Sequence, residues 1–156
     1  MKTCRVLLAL SLGMAAVPAH AGDVTIFAAR STPGENWGTA YGAALSSTWF
    51  RVINLEAEAA RNPGRAPEEI MTTFTGSAFL ALPLGRLVPY GGPGIGFFRQ
   101  SRSDRSDTGW VKSFAVGAKL KLGVILLRGE WRRINLSGVT LLEIDSRIAA
   151  GVGIDF

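Results

Sequence analysis

Apolar and polar residues alternate with a period of two along most of this chain, and the last fifteen residues show it most fully. Leu142, Ile144, Ser146, Ile148, Ala150, Val152, Ile154 and Phe156 fall on one face, and Glu143, Asp145, Arg147, Ala149, Gly151, Gly153 and Asp155 on the other. Successive side chains of a strand point to opposite faces, so this spacing predicts a β-strand with one apolar side. The pattern recurs upstream. Ile125, Leu127, Gly129 and Trp131 oppose Arg128, Glu130 and Arg132. Phe114, Val116, Ala118 and Leu120 oppose Ser113, Ala115, Gly117, Lys119 and Lys121. Trp37, Thr39, Tyr41, Ala43 and Leu45 oppose Gly38, Ala40, Gly42, Ala44 and Ser46. The stretch Glu56 to Arg61 is helix-prone by composition, yet Ile53, Leu55, Ala57 and Ala59 alternate with Asn54, Glu56 and Glu58, which predicts another strand.

Turn signals divide residues 22–156 into eight strands, near 23–31, 37–46, 48–60, 69–83, 86–99, 109–121, 123–134 and 142–156. Ser46-Ser47, Leu84-Gly85 and Lys121-Leu122-Gly123 read as tight turns, whereas 32–36, 61–68, 100–108 and 135–141 read as longer loops rich in Pro, Gly, Asn, Ser and charge. The fifth strand carries so much Gly and Pro that its faces stay unassigned. The fold class is therefore all-β, an eight-stranded antiparallel up-and-down barrel. Short turns at one end and longer loops at the other are the habit of transmembrane barrels, and an even strand count puts both termini on the short-turn side.

Alternation by itself does not separate a membrane barrel from a soluble sandwich, whose strands also have one apolar and one polar face. Two details decide between them. The last strand is long enough to cross a bilayer at a tilt. Its polar stripe mixes charge with Gly and Ala, as a narrow lumen requires, where a water-facing stripe would carry polar side chains throughout. Aromatic residues near predicted strand ends agree: Trp37, Trp110 and Trp131 near the long loops, Trp49 and Phe156 near the short turns.

The N-terminus adds a targeting signal. Lys2 and Arg5 precede an apolar stretch from Val6 to Val17, followed by Pro18-Ala19-His20-Ala21. Those parts predict a signal peptide over 1–21 and a single barrel domain over 22–156. The apolar stretch falls short of the roughly 20 residues that a spanning helix needs. Cys4 lies before it, which speaks against a lipid anchor. Beyond residue 21 the chain has neither cysteine nor histidine, and the net charge of +5 falls to +3 without Lys2 and Arg5. Disulfides and thiolate metal sites are thereby excluded from the domain, and the scattered charge gives no nucleic-acid footprint. No cofactor and no metal are expected.

Pro89-Tyr90-Gly91-Gly92-Pro93-Gly94-Ile95-Gly96-Phe97 resembles a Pro-Tyr strand with alternating glycines found in OmpA/OmpX-like and OmpW-like outer-membrane barrels. With the N-terminal signal and the closing Gly-Val-Gly-Ile-Asp-Phe, the resemblance extends over residues 22–156. It implies a monomer in the bacterial outer membrane, in contact with outer-membrane lipid and lipopolysaccharide. It also implies that Phe156 is the signal met by the outer-membrane assembly machinery. The roles it implies are envelope stability, surface adhesion, or a narrow passage for small solutes.

The catalytic readings are weak. Gly92-x-Gly94-x-Gly96 lacks the spacing of a phosphate loop, and no helix follows it. Asn135-Leu136-Ser137 matches a glycosylation acceptor only as a short, common motif. The barrels it resembles have outer-membrane lipid A deacylases among their neighbours, with a His-Ser pair near the end of the seventh strand. The matching stretch here, Glu130 to Ser137, has the serine without the histidine, and a serine nucleophile needs a base. Outer-membrane proteases and palmitoyl transferases also rely on histidine. Glu56 and Glu58 read as charge partners for Lys119, Lys121 or Arg128 rather than as a glycosidase pair.

The expectation is a non-enzymatic barrel with a side-chain-filled lumen, acting in envelope structure or surface interaction. The alternatives are a narrow solute channel and a soluble, lipocalin-like binder in the periplasm. The expected lumen charges are Glu56, Glu58, Lys119, Lys121, Arg128, Glu130, Arg132, Asp145 and Arg147. Arg99, Arg102, Arg105 and Arg133 are the expected lipopolysaccharide contacts, although Asp104 and Asp107 stand among them. Charge pairing also predicts a register between the last two strands. Glu130 opposite Arg147 and Arg132 opposite Asp145 places opposite charges together, whereas Glu130 opposite Asp145 would clash. In that register Trp131 lies beside Ser146 and Leu127 beside Ala150.

Overall fold

A computed structural model describes residues 22–32, 38–64, 68–102, 105–138 and 144–156, without the side chain of Arg102. The segment 1–21 and Trp37 lie outside the described residues. The strands are β1 (Gly22–Thr32), β2 (Thr39–Trp49), β3 (Ile53–Pro63), β4 (Ile70–Ala81), β5 (Leu87–Arg102), β6 (Arg105–Leu122), β7 (Ile125–Ser137) and β8 (Ser146–Asp155). Each pairs antiparallel with the next, and β1 pairs with β8, closing the barrel. Register-matched positions followed once round the wall lead from Gly22 through Ser47, Leu55, Ala78, Pro93, Phe114, Arg133 and Ser146 back to β1 at Thr32, ten residues further along. That stagger tilts the strands by about 40° and leaves an interior only wide enough for side chains.

The faces follow the alternation. Ile125, Leu127, Phe114, Val116, Ile148, Val152 and Ile154 stand on the outer surface, and Arg128, Glu130, Arg132 and Arg147 are buried inside. The unassigned strand β5 turns Pro93, Ile95, Phe97 and Arg99 outward and Tyr90, Gly92, Phe98 and Gln100 inward. Apolar side chains therefore surround the barrel and charges fill it, the reverse of a water-soluble barrel. An apolar band round a whole circumference also exceeds the patches that soluble monomers expose. A lipocalin-like binder in the periplasm is not favoured.

Four expectations need correction. The β2–β3 turn lies not at Ser46-Ser47 but at Phe50-Arg51, with φ of 50° and 64°. Ser46 instead faces inward, where it joins hydrogen bonds to Asp23, Lys119 and Asn54. The residues around 100–108 are mostly not loop: β5 and β6 stay paired out to Arg102 opposite Arg105. Ile144 does not face outward. It precedes β8, and its side chain packs inside against Met71, Phe98, Val111 and Ile134.

The fourth correction is the register. Arg132 lies opposite Arg147, Glu130 opposite Ala149, and Arg128 opposite Gly151, a shift of two residues from the expectation. On the outer face Trp131 meets Ile148 and Leu127 meets Val152. Asp145 lies outside the strand, exposed, and its backbone carbonyl accepts from Ile134 N at 2.8 Å. The expectation failed because it balanced charge along the wall. In so narrow a barrel, carboxylates from β3 on the far side supply the balance.

Candidate functional site

The charged residues that the alternation turns inward meet in the middle of the lumen as a lattice of three acids and three arginines. Arg128 grips Glu56 through both terminal nitrogens, at 2.7 and 2.9 Å, and also holds Glu130. Arg132 donates from Nε to Glu130 at 2.9 Å and lies 3.3 Å from Glu58 and 3.4 Å from Glu56. Arg147 reaches Glu58 at 2.5 Å. Tyr90 donates its hydroxyl to Glu130 at 2.9 Å. Aromatic rings lie along the same cations, with Tyr90 5.5 Å from Arg128, Phe79 6.0 Å from Arg132 and Phe27 5.0 Å from Arg147. Planar guanidinium groups suit this work, because each can bridge several carboxylates and still stack on a ring.

Toward the short-turn end a second neutral cluster follows. Lys119 pairs with Asp23 at 2.6 Å and donates to Ser46 at 3.0 Å, while Ser46 donates to Asp23 at 2.6 Å. Lys121 sits at the rim, partly exposed, 2.8 Å from Asp155. A cavity of about 160 Å³ opens beside them, bounded by Asn54, Tyr90 and Lys119. Toward the long-loop end the filling changes character. Met71, Phe98, Val111, Ile134 and Ile144 form an apolar layer there, and Leu136 packs against it.

The lattice thus brings together Glu56, Glu58, Arg128, Glu130, Arg132 and Arg147. Of the expected pairings, Glu56 does hold Arg128, but the two lysines do not bind Glu56 or Glu58. They take Asp23 and Asp155, which the sequence reading did not place among the network residues. The signal was there: Asp23 shares the inward parity of Thr25, Phe27 and Ala29. Asp145 belongs to neither cluster. Of the expected surface arginines, Arg99, Arg105 and Arg133 are exposed at the long-loop end, while the side chain of Arg102 is not described. Phe156 is exposed at the opposite end, and its backbone pairs with Gly22 through hydrogen bonds of 2.7 and 2.9 Å.

The glycines of β5 also have a structural account. A Cβ at Gly92 or Gly96 would run into the backbone of β4, so these positions let the two strands approach. The run lies within a strand, not in a loop opening a helix, which removes the geometry of a phosphate cradle.

No protein-family model matches this sequence, and no curated protein matches it by sequence. Solved structures do match by shape. Neisserial surface protein A superposes with a TM-score of 0.68 at 17% identity, over 87% of this chain and 95% of that one. Ail of Yersinia pestis, solved in complex with the heparin analogue sucrose octasulfate, gives 0.61 at 12% identity, over 88% and 99%. The outer-membrane enzyme PagL gives 0.56 at 14% identity, over 86% and 98%. This one fold therefore carries surface proteins and an enzyme alike, and does not by itself choose between them. The chain has the closed eight-stranded architecture of the small outer-membrane β-barrels, the architecture that its Pro-Tyr-Gly strand and terminal Phe156 resemble.

Proposed function

We propose that this protein is an integral barrel of the bacterial outer membrane, exported by a signal peptide over 1–21, with a closed lumen and a role in envelope structure or surface interaction. The observation that carries the reading is the filling of the lumen. An ion-paired lattice and an apolar cluster follow one another along it, their side chains buried. Moving a solute through would require parting buried ion pairs, which costs several kcal/mol for each charge left unpaired. This favours a plugged barrel over a channel.

A non-enzymatic role rests on the sequence. The only histidine is His20, inside the proposed signal peptide, so Ser137 at the end of β7 has no imidazole base. The lattice carboxylates Glu56, Glu58 and Glu130 are engaged with arginines, which occupies the groups that general acid–base work would need. For partners, the apolar outer band fits lipid, and the exposed arginines at the long-loop end fit the phosphates of lipopolysaccharide. Phe156, exposed beside the β1–β8 seam, suits recognition by the assembly machinery. The polyanion held by Ail is compatible with an anion-facing outer end, at the level of fold.

The decisive experiment reconstitutes the purified protein in planar bilayers and, in parallel, fractionates cells with surface proteolysis. The reading expects an outer-membrane fraction, heat-modifiable mobility on detergent gels and no discrete conductance steps. Regular single-channel openings would replace the plug by a pore. Recovery in the soluble periplasmic fraction would overturn the membrane assignment.

A further inference from the structure

Four cations of the outer surface share one height. Arg30 on β1, Arg61 on β3, Lys112 on β6 and Arg133 on β7 all point outward and are exposed. The register and the tilt bring the four within about 3 Å of a common height at the long-loop end, with strands rising 3.3 Å per residue and spaced 4.8 Å apart. Arg99 stands roughly 7 Å further out by the same geometry, and Arg105 further still at the hairpin tip. Below the belt Phe114 and Trp131 are exposed, and at about its own height Phe74 stacks on Phe97 at 5.2 Å.

No strand carboxylate among the described residues faces outward; Asp23, Glu56, Glu58, Asp107, Glu130 and Asp155 all have inward parity. None of the ion pairs among the described residues uses any of the four cations. Among the described residues, then, the interior charges are paired and these four outward cations have no ion pair. Lys112 and Arg133 are diagonal neighbours on adjacent strands, with Asn135 directly across from Lys112. Diagonal positions lie about 7–8 Å apart, close enough for two long cationic side chains to hold one phosphate. Beside Arg133, an open cleft of about 550 Å³ lies between β7 and β8, bounded by Trp131, Asn135, Ser146 and the exposed Asp145. A carboxylate there accepts hydrogen bonds from hydroxyl groups.

We infer that Arg30, Arg61, Lys112 and Arg133 form a belt that binds the phosphates of a glycolipid in the outer leaflet, with its sugar hydroxyls entering the β7–β8 cleft beside Asp145. The inference rests on the outer-membrane reading above and narrows its lipopolysaccharide contacts: three of the four residues are new to it, and Arg99, Arg102 and Arg105 fall outside the belt. Attraction to an anionic lipid surface grows with each basic residue close to it.

The test folds the protein into phosphatidylcholine vesicles that contain bisphosphorylated lipid A, dephosphorylated lipid A, or neither. The readout is the temperature at which the folded gel band is lost. Wild type is expected to gain thermal stability from the phosphorylated lipid alone, and not from inorganic phosphate. The variant Arg30→Gln/Arg61→Gln/Lys112→Gln/Arg133→Gln should fold equally well without lipid A and need about tenfold more of it for the same gain. Should the fourfold variant fail to fold, Arg61→Gln/Arg133→Gln serves with the same readout. Arg51→Gln/Arg86→Gln, at the short turns, should behave as wild type. Equal stabilisation of wild type and belt variant, or equal gains from both forms of lipid A, would overturn the belt. Stabilisation by inorganic phosphate would assign the cations to a free anion instead. Failure of wild type to insert into any vesicle would tell against the membrane reading itself, a separate outcome.

Discussion

Arg132 stands directly opposite Arg147 on the β7–β8 ladder, and both guanidinium groups hold Glu58, which comes from β3 across the lumen. Two like charges facing each other on neighbouring strands would ordinarily oppose pairing. Here Glu58 lies 3.3 Å from one arginine and 2.5 Å from the other, and Glu130 on β7 takes the Nε of Arg132. Charge balance in this barrel is therefore a property of the cross-section rather than of any pair of adjacent strands.

The register makes a direct prediction. In a chain with Cys4 replaced, Leu127→Cys/Val152→Cys should form a disulfide in the folded barrel, because these residues are directly opposed. Opposed positions across an antiparallel pair have Cα atoms roughly 4.5–5.5 Å apart, within the reach of a disulfide. Leu127→Cys/Ala150→Cys, matched in the register of simple charge pairing, should stay reduced. Non-reducing gels with and without oxidant decide between the two.

The lattice should be sensitive to the loss of a single acid. Replacing Glu130 by Ala leaves Arg128 and Arg132 with one carboxylate fewer and Tyr90 without its acceptor. Breaking a buried pair by removing one partner costs about 3–5 kcal/mol. Urea titration of the folded gel band should show a loss of that order. A loss below about 1 kcal/mol, the scale of a surface pair, would mean that water reaches the lattice.

Much of this was legible in the sequence, for a physical reason. Period-two alternation fixes which residues share a face, so the inward set Arg128, Glu130, Arg132 and Arg147 could be identified before any pairing was known. What alternation cannot carry is the third dimension. Glu58 reaching Arg147 from β3 depends on barrel diameter and stagger, which no local pattern encodes, and so the register was misjudged by two residues. The β2–β3 turn was missed because Phe50-Arg51 adopts left-handed backbone without the Gly or Asn that normally announces it. Ile144 was misplaced because the alternation was followed past Ser146, where β8 begins. Arg30, Arg61 and Lys112 were not grouped with Arg133 because the four lie on separate strands and align only once the tilt is known.

Tyr90 and Gly117 form a coupled pair. A Cβ on Gly117 would lie 2.6 Å from the Tyr90 hydroxyl and would also press on the backbone of β7, so glycine makes room for the Tyr90–Glu130 bond. Tyr90→Phe should cost about 1.5–3 kcal/mol, the worth of a hydrogen bond to a charged group. Gly117→Ala should cost at least as much, because overpacking forces the wall to shift. In the double variant the losses should not add, since a displaced Tyr90 has no bond left to lose. Additive losses within about 0.3 kcal/mol would show the two positions to be independent.

The apolar layer and the ionic lattice should fail separately. Phe98 is fully buried, and truncating such a side chain to Ala costs about 3–5 kcal/mol through lost packing and the cavity left behind. Phe98→Ala should therefore lower the urea midpoint of the folded band by a corresponding amount. It should not open the barrel, because the lattice of Glu56, Arg128, Glu130 and Arg132 still fills the section beneath it. Planar-bilayer recordings of Phe98→Ala should be as silent as those of wild type. Conductance steps confined to the variant would identify the apolar layer as the sole seal, and the ionic lattice as a hydrated path that ions can cross.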